Sequence, residues 1–146
     1  MSKVQVGETP EEKPSRWEEW EENVKYTIDV EIDKEEPWYI KRIEMREIEY
    51  HDGNSVSEVI IVSIKDGDYY VEKYRVRDNW GGTGREDILS LRFNDYSETL
   101  SIFYYDEIAE VINNYGVRKA IQYVKSFIID AITIPLANVI CELEKD

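Results

Sequence analysis

From Val24 the chain alternates strictly: Val24, Tyr26, Ile28, Val30 and Ile32 are apolar, and Lys25, Thr27, Asp29 and Glu31 between them are polar. A period of two puts the apolar set on one face of a half-buried β-strand. Beyond Asp33-Lys34-Glu35-Glu36-Pro37, a second extended stretch covers residues 38–50. Its apolar positions change phase twice: Trp38 and Ile40, then Ile43 and Met45, then Ile48 and Tyr50. That predicts a long bent strand with bulges, with a helix as the alternative. Residues 59–64 are apolar on both faces and predict a central strand. Asp52-Gly53-Asn54 marks a turn, and Asp66-Gly67 is a strong two-residue hairpin signal. A fourth strand is predicted over 69–77, a glycine-rich loop over 79–85, a fifth strand over 88–93 and a sixth over 99–105.

The C-terminal part changes to a helical period. Asp106 is placed to cap a helix over 107–115, and Gly116 is placed to end it. Val117, Ala120, Ile121, Val124, Phe127, Ile128, Ala131 and Ile132 then recur at helical spacing. Pro135 breaks that pattern, and a short helix is predicted over 136–143. At the other end, residues 1–15 are polar, contain Pro10 and Pro14, and predict a mobile tail. Ser15 would cap a short helix in which Trp17 and Trp20, three residues apart, share one face. Those indoles either pin the helix to the core or form an exposed aromatic anchor for a partner. The fold class expected is α+β: a curved antiparallel β-sheet of five to six strands with C-terminal helices packed on one face, a single domain over 16–146.

Composition narrows the function. With 146 residues, 42% of them hydrophobic, the chain can build one packed core, and no apolar run reaches membrane-spanning length. The N-terminal stretch lacks the apolar segment of a secretory signal, so an intracellular, cytoplasmic protein is expected. Cys141 is the only cysteine and His51 the only histidine, which leaves no disulfide pair and no two-histidine metal site. No cofactor is expected. The bias towards Glu, Ile and Tyr, with Gln only at Gln5 and Gln122, suits a thermophilic archaeon or one of its viruses; an AT-rich genome gives a similar bias.

The formal charge is −14, and it is not confined to the termini: residues 24–141 alone carry −8. Duplex DNA is therefore a poor default partner, because lysine and arginine supply most of the affinity for its backbone. One stretch runs against this mean. Alternation along 69–77 places Tyr69, Val71, Lys73, Arg75 and Arg77 on one face. The adjacent strand adds Ser90 and Arg92 to that face, the glycine-rich loop adds Trp80 and Arg85, and Lys41, Arg42 and Arg46 lie on the second strand. Such a face suits single-stranded nucleic acid, with Tyr69, Trp80 and Trp38 stacking on bases and cations following phosphates. The competing reading is that these cations pair across strands with Glu72, Glu44 or Glu47.

Other chemistry is thinly supported. Gly81-Gly82-Thr83-Gly84-Arg85 lacks the Lys-Ser/Thr and following helix of a phosphate-binding loop, and reads as a hairpin loop or a binding flap. His51 beside Asp52-Gly53 reads as a solvated turn residue, Cys141 as core, and no nucleophile motif is present. A binding module rather than an enzyme is expected.

Several antiparallel strands followed by a helix, over roughly residues 56–128, resemble Whirly- and Pur-type single-stranded-DNA-binding domains. Size and composition are similar to the archaeal single-stranded-DNA-binding family ThermoDBP. The resemblance is one of element order and implies single-stranded-DNA binding, with no site residue carried over. The alternative is an acidic protein-interaction module, a nucleic-acid mimic or viral inhibitor of a basic host protein, anchored by Trp17 and Trp20. A homodimer is compatible with either, through an edge strand or the apolar helix.

Overall fold

The computed structural model describes residues 15–93 and 104–126. Six strands follow one another: β1 (Arg16–Glu21), β2 (Val24–Ile32), β3 (Ile40–His51), β4 (Asn54–Lys65), β5 (Asp68–Asn79) and β6 (Gly82–Phe93). Helix α1 (Tyr105–Tyr115) and a second helix, α2, over residues 117–126 come after them. Every strand pairs antiparallel with its sequence neighbour, and the order is β1-β2-β3-β4-β5-β6. The sheet is curved and unclosed, so the α+β expectation holds.

Tight turns generate this meander. Asp52-Gly53 and Asp66-Gly67 have positive φ at both central residues, 41° and 85° in the first and 51° and 81° in the second. Such turns match the right-handed twist of the flanking strands and fix the register of β3–β4 and β4–β5.

The two sheet faces differ. On one, the alternating positions Ile28, Val30, Ile43, Met45, Ile60, Val62, Tyr69 and Val71 meet Ile108, Ile112, Val117, Ala120, Ile121 and Val124 of the two helices. This is the main core. Among the described residues no helix packs on the other face, where Val59, Ile61, Tyr74 and Val76 form a small separate cluster.

Several expectations need correction. Residues 16–21 are strand β1, not a capped helix. Trp17 pairs with Ile28 and Trp20 with Lys25, so the indoles lie on opposite faces: Trp17 is buried in the core and Trp20 is exposed. An i, i+3 spacing suits a helix face, but backbone pairing with β2 decides the conformation. The loop expected over 79–85 shrinks to a turn at Trp80-Gly81, because β6 already begins at Gly82. Helix α1 starts at Tyr105, after Tyr104 as N-cap, and Asp106 lies in its first turn without capping it. Of the sixth strand predicted over 99–105, residues 99–103 fall outside the described residues, while Tyr104 forms only an isolated bridge with Tyr39 and Tyr105 opens α1; 1–14, 94–98 and 127–146, including Cys141, also fall outside.

The second predicted strand is bent at one place, not two. Glu31 pairs with Arg42 but Ile32 with Ile40, so Lys41 is an extra residue in a β-bulge that returns Ile40 and Ile43 to the same face. Ile48 and Tyr50 need no second bulge, since they point to the helix-free face.

Candidate nucleic-acid interface

The cationic stripe on β5 has the parity the sequence predicts. Tyr69, Val71, Lys73, Arg75 and Arg77 occupy alternate positions on the face that carries the helices, with Lys73 opposite Ile60 and Tyr69 opposite Ile64. That location removes most of it from solvent. Tyr69 is 1% exposed, and burial pushes its phenol up to about 12, so its ring packs in the core and offers no surface to a base. Lys73 lies 3.3 Å from Glu58, and Arg75 reaches Glu58 at 3.9 Å and Glu86 at 3.4 Å. Lys125 of α2 approaches from above, 3.1 Å from Glu47 and 3.9 Å from Glu58. Of the three β5 cations, only the exposed Arg77 has no carboxylate partner among the described residues.

A second bulge sets the positions of the remaining arginines. Lys73 pairs with Leu89 but Tyr74 pairs with Asp87, which leaves Ile88 as the extra residue in β6. In a regular strand the even positions of β6, which include Glu86 opposite Arg75, would continue on the helix side through Ser90 and Arg92. The bulge reverses that parity, so Ser90 and Arg92 lie on the helix-free face, with Arg85 before the bulge. The expected addition of Arg92 and Ser90 to the β5 stripe is therefore corrected. Arg85 and Arg92 instead join Arg42 and Arg46 on the open side.

That open side also carries aromatic rings. The Arg85 guanidinium stands 3.8 Å from the Tyr74 ring centroid, and Arg92 stands 5.9 Å from Tyr70. Across the sheet, Trp20 stacks on Tyr50 with centroids 5.5 Å apart and planes 24° apart, and Lys25 lies 5.7 Å from the indole. Between these two groups β4 and β5 contribute Ser55, Ser57, Val59, Val76 and Asp78 to the face. The result is a cation beside an aromatic ring at each side of the face, with Trp20 and Tyr50 exposed and Tyr74 buried beneath Arg85.

The other singled-out tryptophans lie elsewhere. Trp80, 90% exposed, tips the β5–β6 turn, and its Nε1 lies 3.0 Å from where a Cβ on Gly53 would stand. It thus belongs to the same end of the sheet as Trp20 and Tyr50. Trp38 is 48% exposed beside the start of α1, where its carbonyl accepts the Tyr105 N–H at 2.8 Å.

Most guanidinium groups on the open face already hold a carboxylate. Glu44 accepts from Arg42 at 2.9 Å and from Arg46 at 2.7 Å. Desolvation pushes the Glu44 carboxyl up, but these two arginines outweigh it and hold it below the usual range. Arg85 donates to Asp87 at 2.9 Å, and Arg92 Nε donates to Asp68 at 2.9 Å. Asp29 is different: burial raises its carboxyl, and Arg16 at 3.8 Å offsets this only in part. The arrangement can bind an anion by exchanging carboxylate for phosphate on an arginine, since the same donors serve both.

Trp20 was expected as an aromatic anchor, but on a helix; the residues of this face that the sequence reading missed are Tyr50, Tyr70 and Tyr74, together with Lys25. Their signal was present as odd-even parity opposite the apolar set. Among the described residues no His, Cys, Asp and Glu group is arranged to hold a metal ion, and no helix is long and apolar enough to cross a membrane. Comparisons with protein-family models, with curated proteins and with solved structures find no match.

Proposed function

We propose that this protein is a non-enzymatic binding module whose helix-free sheet face takes single-stranded nucleic acid. The observation that carries the reading is the pairing of cation and ring at both sides of that face, Arg85 over Tyr74 and Lys25 beside the Trp20–Tyr50 stack. Bases stack on the exposed rings of Trp20 and Tyr50 with about 1–3 kcal/mol each and with no need of base identity, while Arg85, lying over the buried Tyr74, offers its guanidinium to a phosphate. A duplex offers its phosphates but not its base faces, so single strands are preferred. Because the phosphates must displace Glu44, Asp87 and Asp68 from their arginines, the affinity is moderate and strongly salt-sensitive.

Fluorescence polarisation with labelled single-stranded and duplex oligonucleotides, at low and moderate salt, tests this. Salt-sensitive binding that favours the single strand supports it, and absence of binding at micromolar protein and low salt sinks it. In that case the acidic protein-interaction reading takes its place. It is favoured by the acids that line the turns and α1, Glu22, Asp33, Glu35, Glu36, Asp52 and Asp106 among them, and keeps Trp20 but not the buried Trp17 as its anchor.

A further inference from the structure

We infer that the Lys41–Lys65 cleft at the edge of the helix-free face is a phosphate-binding subsite, the point at which the backbone of a bound single strand is held. The inference rests on the nucleic-acid reading above and adds to it a location for the backbone that is separate from the stacking rings.

The cleft, about 360 Å³, is lined by Glu31, Lys41, Arg42, Ser63, Ile64 and Lys65. Two of its three cations, Lys41 and Lys65, are less neutralised than most others on the sheet. Arg16, Lys25, Arg42, Arg46, Lys73, Arg75, Arg85 and Arg92 each have a carboxylate within 3.4 Å. Lys41 reaches Glu31 only at 3.9 Å, and Lys65 has no ion pair among the described residues. Two of the three lysines and arginines of this cleft can therefore take a phosphate with little or no loss of an existing partner.

Local structure explains why the two lysines meet. Lys41 is the bulged residue of β3, and a bulge re-aims the side chain that it carries. Lys65 ends β4 at the Asp66-Gly67 turn, opposite Asp68. Arg42 and Ser63 form a cross-strand pair on the open face between them. The cleft thus combines two ammonium groups, a fork-shaped guanidinium and a hydroxyl donor, a donor set suited to a phosphodiester oxygen. Tyr50 lies at the other end of β3 from Lys41, with Trp20 of β1 stacked on it, so backbone and bases are held at separate places on one face.

The test is the salt dependence of binding to labelled oligo-dT for the intact chain and for three variants. Each phosphate contact to a single strand contributes about 0.7 to the slope of log affinity against log salt. Lys41→Gln with Lys65→Gln is expected to lower that slope by roughly 1.4 and to weaken binding about ten- to thirtyfold near 0.1 M salt. Glu31→Gln, which removes the only carboxylate lining the cleft, is expected to tighten binding roughly two- to fivefold. Arg77→Gln, on the other face, should change neither. If the unmodified chain binds and the double variant keeps its slope, the subsite is wrong while the nucleic-acid reading stands. If the unmodified chain does not bind, both are overturned.

Discussion

Glu19 of β1 caps helix α2 from across the fold: its Oε1 accepts the backbone N–H of Val117 at 2.6 Å and that of Arg118 at 3.1 Å. The first turn of a helix has unpaired N–H groups and a partial positive charge, and here a strand carboxylate answers both. The contact ties the first strand to residues nearly a hundred positions away. It also explains Gly116, whose φ is 91° and where an added Cβ would stand 2.8 Å from the same oxygen.

Glu19→Ala should therefore destabilise the fold by about 1–2 kcal/mol, roughly 3–8 °C in Tm, without touching the open face. Gly116→Ala should cost about 1–3 kcal/mol, since it adds backbone strain to the clash. Thermal unfolding followed by circular dichroism checks both. A Glu19→Ala protein that melts like the parent would show that the cap is not formed in solution.

Two carboxylates on the open face should respond to acid in opposite senses. Glu44 is held below its ordinary value of 4.5 by Arg46 and Arg42, so its contribution is complete above that pH and is lost as pH falls through the lower folded value. The stability gap between the parent and Glu44→Gln should be constant near neutrality and close in acid. Asp29 is raised above 3.8 by burial, so its ionised form costs stability as pH rises through the folded value. Asp29→Asn should accordingly be neutral or stabilising at pH 7, and that difference should vanish in acid. Urea unfolding at several pH values reads both signs.

Two core phenols should resist base. Burial pushes Tyr69 up to about 12 and raises Tyr105 still further. For a group whose folded value is raised, the stabilisation is full below the unfolded value of 10 and is lost as pH rises beyond it. Absorbance titration of the phenolate should show these two tyrosines ionising only as the fold is lost. Tyr69→Phe should push alkaline unfolding to higher pH.

How far the sequence was legible follows from the range of the forces involved. The meander could be read because Asp52-Gly53 and Asp66-Gly67 determine their turns locally and Val24 to Ile32 alternates without interruption. The shared face of Lys73, Arg75 and Arg77 could be read for the same reason. What could not be read was which face the helices cover, because both faces of β4 are apolar at Val59, Ile60, Ile61 and Val62. Ile88 was equally invisible: one unpaired residue in β6 moves Arg92 across the sheet, and nothing in Asp87-Ile88-Leu89 announces a bulge. Trp17 and Trp20 fit a helix by spacing alone, and only pairing with Ile28 and Lys25 separates them.

The most discriminating prediction sets the two faces against each other. Trp20 is 57% exposed and its ring contacts are Tyr50 and Lys25, so Trp20→Ala removes a stacking platform with little effect on the core. Its cost to single-strand affinity should be about 1–3 kcal/mol, a factor of roughly five to a hundred and fifty. Arg85→Ala, which uncovers Tyr74 and removes one phosphate donor, should weaken binding and reduce the salt slope together. Arg75→Ala with Arg77→Ala, on the helix side, should leave affinity within about twofold, because Arg75 is occupied by Glu86 and Glu58 and neither arginine lies on the open face. If instead that double substitution abolishes binding and Trp20→Ala does not, the strand runs along the β5 stripe, and the helices must move away from the sheet to admit it.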